Sequence, residues 1–164
     1  SCRRLDTHIM TQTKGNDVYK KHKFREIEMI TEKDISIEKI LKSVRDDSVG
    51  ATVLFIGTVR NFSVDTVVGM YYESYTRMAE ERMQIIIDDA KQKWNINYKL
   101  LHRIGDLEVG DVSVVVAVSS FHRHEAFDAC QYLVERIKRE VQIWKKERFI
   151  GGNERWVKGY LTEK

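Results

Sequence analysis

The sequence predicts an α+β fold, and three observations carry that reading. Thr76 to Trp94 and Arg123 to Val141 repeat apolar residues at helical spacing, while several shorter runs are β-branched or alternate in polarity as strands do. Helices interrupt pairs of such strands, so at least some strands are expected to pair as antiparallel neighbours. With 164 residues and 42% hydrophobic content, one domain with a substantial core is the default.

Phe24 to Ile30 alternates as a half-buried strand, and Ser36 to Arg45 sets Ile37, Ile40, Leu41 and Val44 on one helical face. Gly50 to Val59 is continuous and β-branched, the pattern of a fully buried strand. The polar loop Arg60 to Asp65 then leads to a strand over Thr66 to Tyr75, and these two strands are expected to form a hairpin. The helix over Thr76 to Trp94 turns Met78, Ala79, Met83, Ile86, Ile87, Ala90 and Trp94 inward. Strands are expected at Tyr98 to Ile104 and Val112 to Ser119, with a turn region from Gly105 to Asp111 between them. The second long helix gathers Ala126, Phe127, Cys130, Leu133, Val134, Ile137 and Val141 in an arc of roughly 120°, with Lys138 at its border. Gln142 to Phe149 and Arg155 to Leu161, on either side of Gly151-Gly152-Asn153, read as a closing hairpin.

Charge divides unevenly along the chain. Residues 1–25 hold seven Lys/Arg against two acids, leaving 21 basic and 23 acidic residues in the remainder, so the net +3 is mostly a basic N-terminal segment. That segment lacks periodicity before Phe24, opens without Met and contains Met10. Residues 1–23 are therefore expected to form an N-terminal extension, flexible or partly an appended remnant, ahead of a domain over 24–164. The body is not a basic sheath for phosphate backbones. Neither a membrane-length apolar run nor a signal core is present, and Cys2 and Cys130 form no paired framework, which fits the cytoplasm.

Ile143-Trp144-Lys145-Lys146-Glu147 sets two lysines beside apolar bulk, seven residues beyond Lys138. A lysine near an apolar pocket loses hydration of its charged form and becomes a usable acid, base or nucleophile; the competing reading is a solvated edge strand. Ser119-Ser120-Phe121-His122-Arg123 sits at a strand-to-helix junction, where free backbone N–H groups favour a phosphate or carboxylate, although a serine there can simply cap the helix. Arg60 follows a strand directly, and its planar fork suits bidentate phosphate contact. His122-x-His124 lacks further ligands at zinc-like spacing, so no metal site is expected. Cys130 lies mid-helix on the apolar face and reads as a small hydrophobe. The chain holds no GxGxxG, P-loop or GxSxG motif, and no cofactor is expected.

Gly57-Thr58-Val59-Arg60-Asn61, Tyr72-Glu73-Ser74-Tyr75 followed by Met78-Ala79-Glu80, His102-Arg103-Ile104-Gly105, Ser119 to Arg123, Lys138 and Ile143 to Glu147 occur in the order and approximate spacing of the molybdopterin synthase catalytic (large) subunit. Over roughly residues 24–160 the chain resembles this family, the MoaE family. The resemblance implies an α/β-hammerhead-type subunit that dimerises and binds a small ubiquitin-like sulfur-carrier subunit (MoaD type) at each end of the dimer. The implied reaction moves sulfur from carrier C-terminal Gly-Gly thiocarboxylates to cyclic pyranopterin monophosphate, forming the dithiolene of molybdopterin. It implies catalysis by Lys138 and Lys145, and substrate binding by Thr58, Val59, Arg60, His122, Arg123, Lys138, Lys145, Lys146, Glu147 and, across the dimer, Arg155. Gln142 stands where many relatives carry proline. The alternatives are a non-enzymatic module binding RNA or another polyanion, for which Arg136 to Arg148 offers six basic residues against two acids, and a silent scaffold for the carrier. Trp144 is the sole aromatic in that stretch, and the retained lysines argue against the scaffold.

Overall fold

The computed structural model describes residues 28–158. The N-terminal extension and most of the strand expected from Phe24 lie outside these residues. Among the described residues eight strands and three helices follow one another: β1 (Ile30–Thr31), α1 (Ile37–Ser43), β2 (Ala51–Thr58), β3 (Val67–Ser74), α2 (Thr76–Lys93), β4 (Asn97–Arg103), β5 (Gly105–Glu108), β6 (Val112–Ser120), α3 (Arg123–Glu140), β7 (Ile143–Phe149) and β8 (Glu154–Lys158). They build two four-stranded sheets, ordered β1-β4-β6-β2 and β5-β3-β7-β8. Every pairing is antiparallel except β1 with β4, which meets the expected α+β class.

The first sheet is covered on both faces, and β6 shows why. Its run of valines is buried from Ser113 to Ser120, with Val114, Val116 and Val118 facing the core under α2 and α3 while Val115 and Ala117 face α1. Alternate side chains of a strand point to opposite faces, so only a strand apolar at every position suits this central place. Ser36 starts α1 by accepting from the Lys39 backbone N–H, and Ile40 and Val44 pack onto the sheet. On the other face Met83, Ile86 and Ile87 of α2 meet Ala129, Cys130, Leu133 and Ile137 of α3. Leu133 is fully buried there; truncating such a residue to alanine costs about 2–5 kcal/mol. Arg136 clamps the two helices, 2.6 Å from Asp89 and 2.7 Å from Glu140, and Arg82 reaches Glu140 from α2.

Four expectations need correction. β2 and β3 do not form a hairpin: β2 pairs with β6, whereas β3 pairs with β5 and β7 in the other sheet, and Phe62 to Thr66 is an isolated bridge. Beyond Thr58 the chain bonds to the Gly110–Asp111 turn through Val59, which seats Val59 with Met70 and Leu107 in the small core of the second sheet. Nor is β2 fully buried. It is an edge strand of intermediate burial, with Ile56 exposed. The expected turn from Gly105 holds a strand, β5, paired with β3 from Tyr72↔Gly105 to Gly69↔Glu108. Gly105, at φ +93°, makes the switch from one sheet to the other, a conformation costly for any residue with a Cβ. Finally, Phe127 and Met78 are exposed at 60% and 66%, because each lies beyond the side of its helix that the sheet covers. Both long helices and the closing hairpin of β7 with β8 match the expectation.

Candidate active site

A cavity of about 170 Å³ opens where the last turns of α3 meet both sheets. Phe55 and Gly57 of β2, Tyr72 of β3, His102 of β4, Ser113, Val114 and Val116 of β6, Val134, Ile137 and Lys138 of α3, and Ile143 and Lys145 of β7 line it. Lys138 and Lys145, from a helix and a strand, thus share one enclosure. The Lys138 ammonium sits 5.3 Å from the centre of the Phe55 ring, whose π face attracts it without neutralising it. Gly57 gives the cavity room: a Cβ there would stand 2.6 Å from a Val114 methyl.

A smaller cavity of about 50 Å³ adjoins it, lined by Thr58, Arg60, Phe62, Ser63, Val67, Met70, Tyr72, Lys145 and Glu147. Tyr72 and Lys145 line both. The reason is register: Tyr72 pairs with Lys145 and Met70 with Glu147, and residues two apart on β7 share a face. Glu147 is 4% exposed and accepts from Ser63 Oγ at 3.1 Å and from Arg155 Nη2 at 2.8 Å. Burial lifts the Tyr72 phenol above its ordinary range, with the Ser113 hydrogen bond and the Arg60 charge opposing and the Glu147 charge adding. The phenol therefore stays protonated at neutral pH. Burial first, and the Lys138 charge after it, press His102 down to about 4 against the opposing pull of its bond to the Arg103 carbonyl, so the imidazole is neutral.

The sequence-predicted residues divide on this frame. Lys138, Lys145, Thr58, Arg60 and Glu147 come together in the two cavities. Val59 is buried against Met70 and Leu107, where it supports Arg60 without reaching a cavity. Lys146 points to the other face of β7, 3.1 Å from Glu154 and over the Tyr71 and Trp156 rings. Arg155 is engaged with Glu147 of its own chain. His122 and Arg123 stand at the start of α3 and line neither cavity; fifteen residues of helix put Arg123 about 22 Å from Lys138 along the axis. Ser119 and Ser120 are buried and do not cap α3: Ser119 bonds the Val44 carbonyl, Ser120 the Asn95 carbonyl and Glu125, and His122 occupies the cap position. Burial pushes the Cys130 thiol up to about 11, the setting of an inert sulfur. Among the described residues no three His, Cys, Asp or Glu gather as a metal site would require, and no helix is long and apolar enough to cross a membrane.

Tyr72, His102, Ser113, Phe55 and Gly57 were given no role from sequence. Two of them carried a legible signal: Tyr72 and His102 open two of the motifs, Tyr72-Glu73-Ser74-Tyr75 and His102-Arg103-Ile104-Gly105, on which the family resemblance rests.

Comparisons with known proteins point to one family. The family model described as "MoaE protein" matches residues 30–140. The molybdopterin synthase catalytic subunit of Thermoplasma volcanium is 46% identical over 129 residues, covering 77% of this chain and 94% of that one. Among solved structures, molybdopterin synthase from Staphylococcus aureus superposes with a TM-score of 0.76 at 36% identity, covering 80% of this chain and 97% of that one. A protein–protein complex of subunits 1 and 2 of molybdopterin-converting factor from Helicobacter pylori shares the fold at TM-score 0.66 and 20% identity, covering 80% of this chain and 89% of the other. The chain belongs to the MoaE family of molybdopterin synthase catalytic subunits.

Proposed function

We propose that this chain transfers sulfur from the C-terminal thiocarboxylate of a small ubiquitin-like carrier of the MoaD type to cyclic pyranopterin monophosphate, forming the molybdopterin dithiolene. The observation that carries the reading is the meeting of Lys138 and Lys145 in one cavity, while the cysteine among the described residues, Cys130, is an inert buried thiol. A sulfur-transfer site with no reactive thiol among the described residues calls for a sulfur that arrives on a partner. A thiocarboxylate and a phosphate are both anionic, and two ammoniums in a partly apolar enclosure offset that charge and hand protons to the groups that leave as sulfur adds. As each sulfur bonds to the pterin carbon, the carrier's acyl C–S bond is broken by water, which returns that carrier with an ordinary carboxylate. The Helicobacter pylori relative is a complex of two subunits, which supports a carrier partner here. Cytoplasm is the compartment that suits a thiocarboxylate and free thiols.

Arg60, beside Lys145 in the smaller cavity, is assigned to the substrate phosphate. His122 and Arg123 lie too far along α3 to join the same substrate from within one chain. We assign them to a neighbouring active site, which makes the working unit a homodimer with a carrier at each end. Arg155 stays with Glu147 in this reading and shapes the smaller cavity. Titration of thiocarboxylated carrier and precursor into the purified chain, with light scattering after size-exclusion chromatography, tests the assembly. A dimer that becomes a heterotetramer supports it, and full activity from a monomer defeats the shared site.

A further inference from the structure

We propose that His102 is a substrate-binding residue whose Nε2 lone pair accepts a hydrogen bond from an N–H or O–H of the molecule held between Lys138 and Lys145. The inference rests on the sulfur-transfer reading of that cavity and adds an acceptor to it. His102 is nine-tenths buried, yet it lines the cavity. Its Nδ1 lies 2.8 Å from the Arg103 carbonyl oxygen. A carbonyl can only accept, so Nδ1 carries the proton and Nε2 is left with its lone pair. The ring is held in place: the Tyr72 ring packs edge-on at 5.3 Å, the His102 backbone N–H donates to the Met29 carbonyl at 2.8 Å, and the residue pairs with Val114 on β6 and Ile30 on β1. Burial and the neighbouring Lys138 charge keep the imidazole from protonating, so the acceptor persists at neutral pH.

The chemistry of the other polar groups gives that lone pair its meaning. Both ammoniums donate only. The Ser113 hydroxyl is committed, donating to the Gly57 carbonyl at 3.2 Å and bonding Tyr72. Glu147 belongs to the smaller cavity, where its Oε2 accepts from Ser63 and Arg155. A substrate rich in ring N–H, amino and hydroxyl donors, as a pyranopterin is, meets two side-chain acceptors here, the Tyr72 phenol oxygen, already bonded to Ser113, and the His102 lone pair. A buried acceptor of this kind also discriminates, because an analogue lacking the donor leaves it unpaired.

Two substitutions separate binding from mere structure. Asparagine at 102 reproduces the donor to the Arg103 carbonyl but has nothing where Nε2 stood; glutamine brings an amide oxygen near Nε2 and gives up the Arg103 bond. A purely structural ring ranks His102→Asn above His102→Gln in melting temperature and precursor affinity alike. The proposal ranks His102→Gln above His102→Asn in affinity for cyclic pyranopterin monophosphate whatever their melting order. His102→Asn is expected to weaken precursor binding about tenfold or more while carrier affinity stays unchanged. Nitrogen NMR of the wild-type ring needs no variant: adding precursor should move the Nε2 resonance and leave Nδ1 in place. Precursor binding with an unmoved Nε2, or with His102→Asn as tight as wild type, overturns the role of His102 alone. A wild-type chain that binds no precursor overturns the sulfur-transfer reading and this inference with it.

Discussion

Acid should destabilise this fold through His102 by an amount the structure lets one calculate. His102 is 9% exposed, its ring packed against Tyr72, with Lys138 the charge that faces it and Lys145 in the same cavity. Its folded value is about 4 against an ordinary 6.5. Between those limits the unfolded chain binds the proton and the folded chain does not, so stability falls as pH drops. The full contribution is present above about pH 6.5, and the loss levels off below about pH 4. The shift corresponds to about 3 kcal/mol in total, of which about 2 kcal/mol is lost between pH 8 and pH 5. Urea denaturation of the wild type and His102→Gln at pH 8, 6.5, 5.5 and 5 measures this. Other titrating groups affect both proteins, and the difference between the two profiles isolates the ring. Wild type should lose about 2 kcal/mol more than the variant across that range. Parallel profiles would mean that the ring protonates freely in the folded state, and the neutral acceptor argued above would go with it.

Three substitutions probe the rest of the cavity. Lys138→Ala should leave the fold intact, since its ammonium borders the core, and should cut turnover on the order of 10²–10³ in a single-turnover assay. Arg60→Ala should weaken precursor binding more than carrier binding in paired titrations, because a guanidinium holds phosphate through charge-assisted bonds; equal weakening would assign Arg60 to the fold or the carrier surface. Gly57→Ala sets a Cβ against the Val114 methyl at 2.6 Å, with Ser113 Oγ at 3.5 Å. It is expected to narrow the cavity and raise the precursor KM with a stability loss of about 1–3 kcal/mol, and an unchanged KM would detach this cavity from the substrate.

How much of this was readable from the chain depends on range. Helical periodicity located α2 and α3 to within a residue or two, since a stripe such as Ala126, Cys130, Leu133, Ile137 is a local property. Strand partnership is not. Gly50 to Val59 and Thr66 to Tyr75 looked like a hairpin because they are consecutive, yet β6 and β7, both distant in sequence, claim them. At the site, Lys138 and Lys145 were legible as lysines beside apolar bulk, and strand alternation alone separates Lys145 from Lys146. The cavity walls were not legible, because Tyr72, His102 and Ser113 meet only through pairings across both sheets. The separation of Arg123 from Lys138 could have been counted along the helix. What it implies, a site completed by a second copy, follows only when both are asked to hold one small substrate.

Sulfur transfer from a carrier to a pyranopterin in this cavity is open to direct measurement. The direct test mixes the purified chain with thiocarboxylated carrier and cyclic pyranopterin monophosphate and follows sulfur by mass spectrometry of both. The expected outcome is a pterin dithiolene, with carrier tails returned as carboxylates, and loss of that product in Lys138→Ala. Carrier and precursor that both bind while the thiocarboxylate persists and the pterin gains no sulfur would contradict it.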